Sequence, residues 1–248
     1  MNRLLPVTIL LAVAGLTVFF YKEINIIKAA QVREQVNQTE TKQFLLSTID
    51  WSTQRQKTLL FMRDQIIKEW QRIGDRHPNY NRAFEKAELI IQECEKYPGV
   101  HPLFMLAVQC VESSFYDSLV SVAGAIGEWQ IMPSTARLLC ASLGISYSSK
   151  VFYDPVCTKL AGKYFDALYA SYPKEEEMLA DYNGGPYQSY YYRADKAKLA
   201  PETSQFVINV MNRKNGFLKI FESYRIDAAL IQPLDSNLVD SINVKKKR

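Results

Sequence analysis

Residues 103–114 read L-F-M-L-A-V-Q-C-V-E-S-S, and residues 124–136 read G-A-I-G-E-W-Q-I-M-P-S-T-A. The first stretch is almost wholly apolar for nine residues, opens behind Pro102, and ends on a carboxylic acid, Glu112. A helix apolar all round belongs inside a core, and Pro at its first position is a normal start. A carboxyl at the end of such a helix lies beside the core. Partial burial disfavours its ionised form and raises its pKa, which suits a general acid near neutral pH. The competing reading is a helix-terminal Glu that points into water, and the local pattern alone does not separate the two.

Helical punctuation continues on both sides. Leu59, Leu60, Ile66, Ile67, Trp70 and Ile73 recur at spacings of three and four between Thr53 and Ile73, and Gly74 and Pro78 stop them. Phe84, Ala87, Ile90, Ile91 and Cys94 share the face of a second amphipathic helix that ends at Tyr97-Pro98-Gly99. Ser134 is placed to cap a helix over 135–143 that Gly144 closes. Asp154-Pro155 starts another, with Val156, Leu160, Tyr164 and Leu168 inward. Pro173 precedes a helix that ends near Asn183-Gly184-Gly185-Pro186. Pro201 precedes the last, which carries Phe206, Val207, Val210, Met211 and Phe221. No alternating strand pattern and no internal repeat interrupts the series, so the fold class is mostly α.

Residues 4–21 hold no charge, and at about 1.5 Å per residue they just span a hydrocarbon core. A membrane anchor over 1–21 is expected, with a cleaved signal peptide as the rival reading. Residues 22–79 are assigned to a polar stalk and the first amphipathic helix, 80–225 to the functional domain, and 226–248 to a tail. The formal charge of +4 is matched by Lys245, Lys246, Lys247 and Arg248. The body of the chain is therefore balanced, with no nucleic-acid footprint. Four cysteines without a CxxC pair, two histidines and no HExxH make a zinc site a poor expectation. No metal or organic cofactor is expected, and neither histidine sits in a recognisable hydrolase motif. A disulfide between Cys140 and Cys157 is expected in an oxidising compartment, with buried thiols at Cys94 and Cys110.

Five blocks occur in order. They are Glu112-Ser113-x-Phe115, Ser121 through Ala136, Tyr153-Asp154-Pro155, Asp181-Tyr182-Asn183-Gly184-Gly185-Pro186, and Glu202-Thr203-Ser204-Gln205-Phe206-Val207. Over about 100–220 this set resembles the soluble lytic transglycosylase family, whose domain is related to goose-type lysozyme. The family's pattern has Gly-Leu-Met-Gln where this chain has Gly127-Glu128-Trp129-Gln130, Ala in place of Asp181, and Tyr in place of Phe206. Glu128 is then either an exposed substitution or a second carboxylate near the cleft.

The resemblance implies a lysozyme-like domain that cleaves the β-1,4 bond between N-acetylmuramic acid and N-acetylglucosamine in peptidoglycan, leaving 1,6-anhydromuramyl ends. Glu112 is the implied acid/base. Ser113, Ser121, Gln130, Met132, Tyr182, Asn183 and Glu202 are the implied substrate contacts. Gly124 and Gly127 are read as sites of tight turns and close approach of the sugar chain. Glycan strands are the expected partner and the membrane is met through residues 4–21. The expected location is the inner membrane, with the domain outside the cytoplasm. Two other readings stay open. One is a lysozyme-type hydrolase in which Asp117, Glu128 or Asp181 positions water. The other is a glycan-binding or assembly module of an envelope-spanning machine or phage particle.

Overall fold

A computed structural model describes residues 51–225. The expected anchor over 4–21, most of the stalk and the tail after 225 lie outside the described residues. The chain divides into two units, Met1–Arg55 and Gln56–Arg248. Of the first, residues 51–55 are described and are helical; the rest of this account concerns the second. Among the described residues no helix is long and apolar enough to cross a membrane.

The second unit is mostly helical, as its punctuation requires. Its helices are α1 (56–72), α2 (Tyr80–Lys96), α3 (Pro102–Ser113), α4 (Pro133–Ser142), α5 (Val156–Ser171), α6 (Glu175–Gly184), α7 (Pro186–Ala194) and α8 (Pro201–Ser223). Helix α3 is the central rod: every residue from Leu103 to Cys110 is buried. Helices α2 and α8 pack against it, α5 lies against α2, and α6 and α7 pair beside α8. Burying an apolar side chain stabilises by about 1.5–3 kcal/mol, so a rod buried on all sides is the strongest organiser of the domain.

Several boundaries differ from the sequence reading. Helix α1, the amphipathic helix expected ahead of the domain at 80–225, packs into the domain's core: Leu59, Phe61, Met62, Ile66, Ile67 and Trp70 are buried in it. Trp70 donates to the Ser114 carbonyl at 3.1 Å, and Tyr224 donates to Asp64 at 2.6 Å. Helix α7 was not foreseen. Its sequence, P-Y-Q-S-Y-Y-Y-R-A, buries only Ser189 and so carries no apolar stripe. Helix α4 starts at Pro133, with Ser134 inside its first turn and no side-chain cap. Phe84, Val156 and Tyr164 are less covered than expected, Phe84 being exposed.

The cysteines are all free and buried. The expected Cys140–Cys157 disulfide is therefore corrected. The Cys157 thiol instead faces Glu128 Oε1 and Asp154 Oδ1, both at 3.1 Å, while Cys140 is buried on α4. Cys94 lies 3.4 Å from the Met105 sulfur, a core thiol as expected.

Candidate active site

Helix α3 ends abruptly behind Glu112. Ser114 and Phe115 both adopt left-handed backbone, at φ 49° and 69°, a conformation that costs non-glycine residues energy. Three bonds hold the turn. The Phe115 amide donates to Ser113 Oγ at 3.1 Å, Ser114 Oγ donates to Glu69 at 3.0 Å, and the Ser114 amide donates to the Cys110 carbonyl at 3.1 Å. The chain therefore leaves α3 sharply, and Glu112 lines a cleft.

The cleft has a volume of about 150 Å³. Glu112, Ser121, Gln130, Met132, Tyr182, Asn183 and Glu202 all line it. Besides the expected acid these are six of the seven sequence-expected contacts, gathered around it from four separate stretches of chain. Ser113 is the exception. It is 5% exposed, and its hydroxyl donates to the Glu128 carbonyl at 2.8 Å and the Gln109 carbonyl at 3.2 Å. It faces the core, one residue from the acid, and does not reach the cleft.

Glu112 keeps an accessible surface toward the cleft but is otherwise densely surrounded. Among the described residues no hydrogen bond to its carboxyl forms. Burial, reinforced by the negative charge of Glu202, pushes its pKa up to about 8. A carboxyl with that pKa and no competing partner holds a transferable proton at neutral pH.

The walls are built for rigidity. The Tyr182 hydroxyl donates to the Trp129 carbonyl. Its ring stacks on Phe165 at 4.9 Å and on Phe206 at 6.2 Å. Gln130, held at φ 43°, sends its amide to the carbonyls of Gly127 at 2.7 Å and Leu119 at 3.2 Å. Its nitrogen therefore braces the loop. Gly127, at φ 79°, has no room for a side chain: a Cβ there would lie 2.6 Å from the Phe152 carbonyl oxygen. The close approach expected of a sugar is made by backbone. Tyr164 and Thr135 also line the cleft. The sequence reading placed Tyr164 only in the core, because helical spacing does not tell a core face from a cleft wall.

Three carboxylates suspected of positioning water do not line this cleft. Asp117 is bound by Arg82 at 2.8 Å, and Asp181 accepts from the Tyr172 hydroxyl. Glu128 is fully buried and bonded to Lys86, so it is neither an exposed substitution nor a cleft acid. Glu128, Asp154 and Cys157 have three donor atoms within 4.8 Å of one another, but the Lys86 ammonium contacts both carboxylates. A cation position is thus already filled by the protein.

A larger cavity of about 610 Å³ opens among α1, α3 and α8, beside Glu69, Arg72 and Arg213. Its carboxylate, Glu69, is tied to Arg72 at 2.9 Å, and these bonds lower its pKa despite burial. A paired, ionised acid is not a proton donor, so the smaller cleft is the candidate site on chemistry.

Residues 89–204 match the family model of the transglycosylase SLT domain. No curated protein sequence matches the chain. Among solved structures, an inactive mutant of the lytic transglycosylase Slt from Pseudomonas aeruginosa is 23% identical, with 57% of this chain and 25% of that one covered and a TM-score of 0.49. The 70 kDa soluble lytic transglycosylase from Escherichia coli is 20% identical, with 66% and 30% covered and a TM-score of 0.49. A complex of the 70 kDa soluble lytic transglycosylase with bulgecin A is 21% identical, with 57% and 25% covered and a TM-score of 0.48. The matched region of this chain spans less than a third of each of those proteins.

Proposed function

We propose, from the match of residues 89–204 to the transglycosylase SLT domain, that the chain cuts the glycan strands of peptidoglycan between N-acetylmuramic acid and N-acetylglucosamine. The single observation that supports this best is Glu112: a cleft carboxyl pushed up to about 8, with no hydrogen-bond partner among the described residues. In this reading the Glu112 proton passes to the glycosidic oxygen as the bond to C1 breaks. The sugar's own acetamido oxygen stabilises the cationic carbon. The resulting Glu112 carboxylate then takes the proton of the C6 hydroxyl, whose oxygen closes onto C1. One group serves as acid and then base, no water is consumed, and the product is a 1,6-anhydromuramyl end. Ser121, Gln130, Met132, Tyr182, Asn183 and Glu202 bind the strand.

The cleft also favours this cycle over a two-carboxylate hydrolase. The other acid lining it, Glu202, is exposed, and its charge helps hold the proton on Glu112. Mass spectrometry of fragments released from purified sacculi tests the reading. Anhydro ends, lighter than reducing ends by one water, are expected; reducing ends alone would make the protein a hydrolase. We further place the domain outside the cytoplasm, held at the inner membrane by residues 4–21. Protease accessibility in spheroplasts checks that, and recovery of the intact chain from the cytosol would refute it.

A further inference from the structure

We propose that Glu128 is a positioning residue for Glu112: anchored by Lys86 and Asp154, it fixes the strip 127–130, whose carbonyls hold the end of the acid-bearing helix and one wall of the cleft. The inference rests on the reading above for what Glu112 does, and goes beyond it in naming what aims it.

Glu128 is 0% exposed and Lys86 2%. The Lys86 ammonium, from α2, donates to Glu128 and, at 3.3 Å, to Asp154. Asp154 is held further by Thr158 Oγ1 at 2.7 Å and the Cys157 thiol at 3.1 Å, both on α5. The side chain of Glu128 thus ties its own backbone to α2 and α5 at once. Three consecutive residues of that backbone then act on the cleft. The Glu128 carbonyl accepts from Ser113, the neighbour of Glu112. The Trp129 carbonyl accepts from Tyr182, while the Trp129 indole donates to Thr158 at 3.0 Å and closes the circuit onto α5. Gln130 lines the cleft itself.

An apolar side chain at 128, as in the pattern this chain resembles, would fill the same space without directional bonds. Apolar packing tolerates sliding, whereas a carboxyl between two fixed partners specifies one orientation, the best-attested use of buried polar groups. The charges are consistent with this. One ammonium faces two buried carboxylates. Burial works against the ionised Asp154, but the bond from the Glu128 carboxyl, then the Lys86 charge and the Thr158 and Cys157 donors, hold it down to about 2. Glu128, deep and beside Asp154, is pushed up to about 8. Lys86 and Asp154 remain a matched pair when the side chain of Glu128 is removed.

The test uses the full chain on purified sacculi, with kcat and KM determined separately for Glu128→Leu, Glu128→Gln and Ser113→Ala. A small displacement of a catalytic group lowers kcat by about 10- to 100-fold. That loss is expected in Glu128→Leu and, to a lesser extent, in Ser113→Ala; KM stays within about twofold in Ser113→Ala, which leaves the wall of Gln130 and Tyr182 in place, and rises in Glu128→Leu, which loosens it. Glu128→Gln, which keeps an acceptor for Lys86 and a donor for Asp154, recovers most of the kcat lost in Glu128→Leu. The double variant Glu128→Leu/Ser113→Ala falls no further than the worse single, since both cut one link. Wild-type kcat in Ser113→Ala, or losses that multiply in the double variant, would overturn the proposal. If Glu128→Leu does not fold, Ser113→Ala, which leaves every buried charge in place, decides alone. If wild type and Glu112→Gln prove equally inert on sacculi, the activity reading has failed instead. The positioning claim is then read without substrate, from the NMR titration of the Glu112 carboxyl. That midpoint moves down toward the ordinary range in Ser113→Ala if the link is real, and stays unmoved if it is not.

Discussion

Two glutamates sixteen residues apart carry the same upward shift, to about 8, for the same first cause, burial. Around Glu112 the protein leaves the carboxyl open to a cleft, adds a second acid, Glu202, and supplies no hydrogen-bond donor from the described residues. Around Glu128 it removes solvent altogether and closes Lys86, Asp154 and Cys157 about the carboxyl. The first proton can reach a substrate and the second cannot. A raised pKa therefore marks a desolvated acid, and access with freedom from partners is what distinguishes chemistry from architecture.

The contrast is most easily broken at Glu112. Glu112→Gln keeps the shape and removes the proton, so glycan release from sacculi is expected to fall by about 10²- to 10⁴-fold, the usual worth of a general acid, with the circular dichroism unchanged. Turnover near wild type would move the acid elsewhere. The reverse is expected in the sealed cluster. Lys86→Met strands buried carboxylate charge, which costs about 3–5 kcal/mol of stability in urea titration, whereas Glu112→Gln strands nothing and leaves the midpoint at or above that of wild type. Equal destabilisation by the two would erase the distinction.

A pH series sharpens it. Both glutamates bind their protons more tightly folded than unfolded, so each contributes stability in full below the ordinary 4.5 and loses it as pH rises through about 8. Asp154 runs the other way. Held down to about 2, it contributes above its ordinary 3.8 and loses that contribution as pH falls. The thermal midpoint is expected to decline from pH 4.5 to 8, less steeply in Glu112→Gln. Activity should show an alkaline limb near 8, where Glu112 gives up its proton. A flat stability profile, or a limb near 5, would contradict the assignment. The smallest expected effect is at Glu202. Glu202→Gln removes the like charge beside Glu112, so the alkaline limb shifts to lower pH; a shift upward, or none, would separate the two acids.

Much of this was legible in linear form. The apolar run 103–111 requires a buried helix wherever it folds, because no other placement hides its surface, and the acid at its end must then sit beside the core. Ser121, Gln130, Tyr182, Asn183 and Glu202 were read from ordered motifs, and the fold brings them to the same cleft as Glu112. Ser113 was misread because adjacency in sequence says nothing about direction: on α3 it turns inward to the Glu128 carbonyl. Helix α7 escaped because a surface helix of tyrosines leaves no periodic trace.

The sequence by itself determined the helical class and the central rod, since both follow from local pattern and the cost of exposing apolar surface; the proposed acid was singled out only by the ordered blocks around it, because a glutamate ending an apolar helix can equally face water. Tertiary structure alone decided the fate of Lys86 and Glu128. Nothing in the linear pattern of α2 marks Lys86 for burial, and the sequence left Glu128 open between an exposed substitution and a second cleft carboxylate. They meet across 42 residues, and Lys86 meets Asp154 across 68. A charge becomes tolerable in the interior only when its partner is delivered there, and that delivery depends on how α2, α5 and the cleft loop pack together.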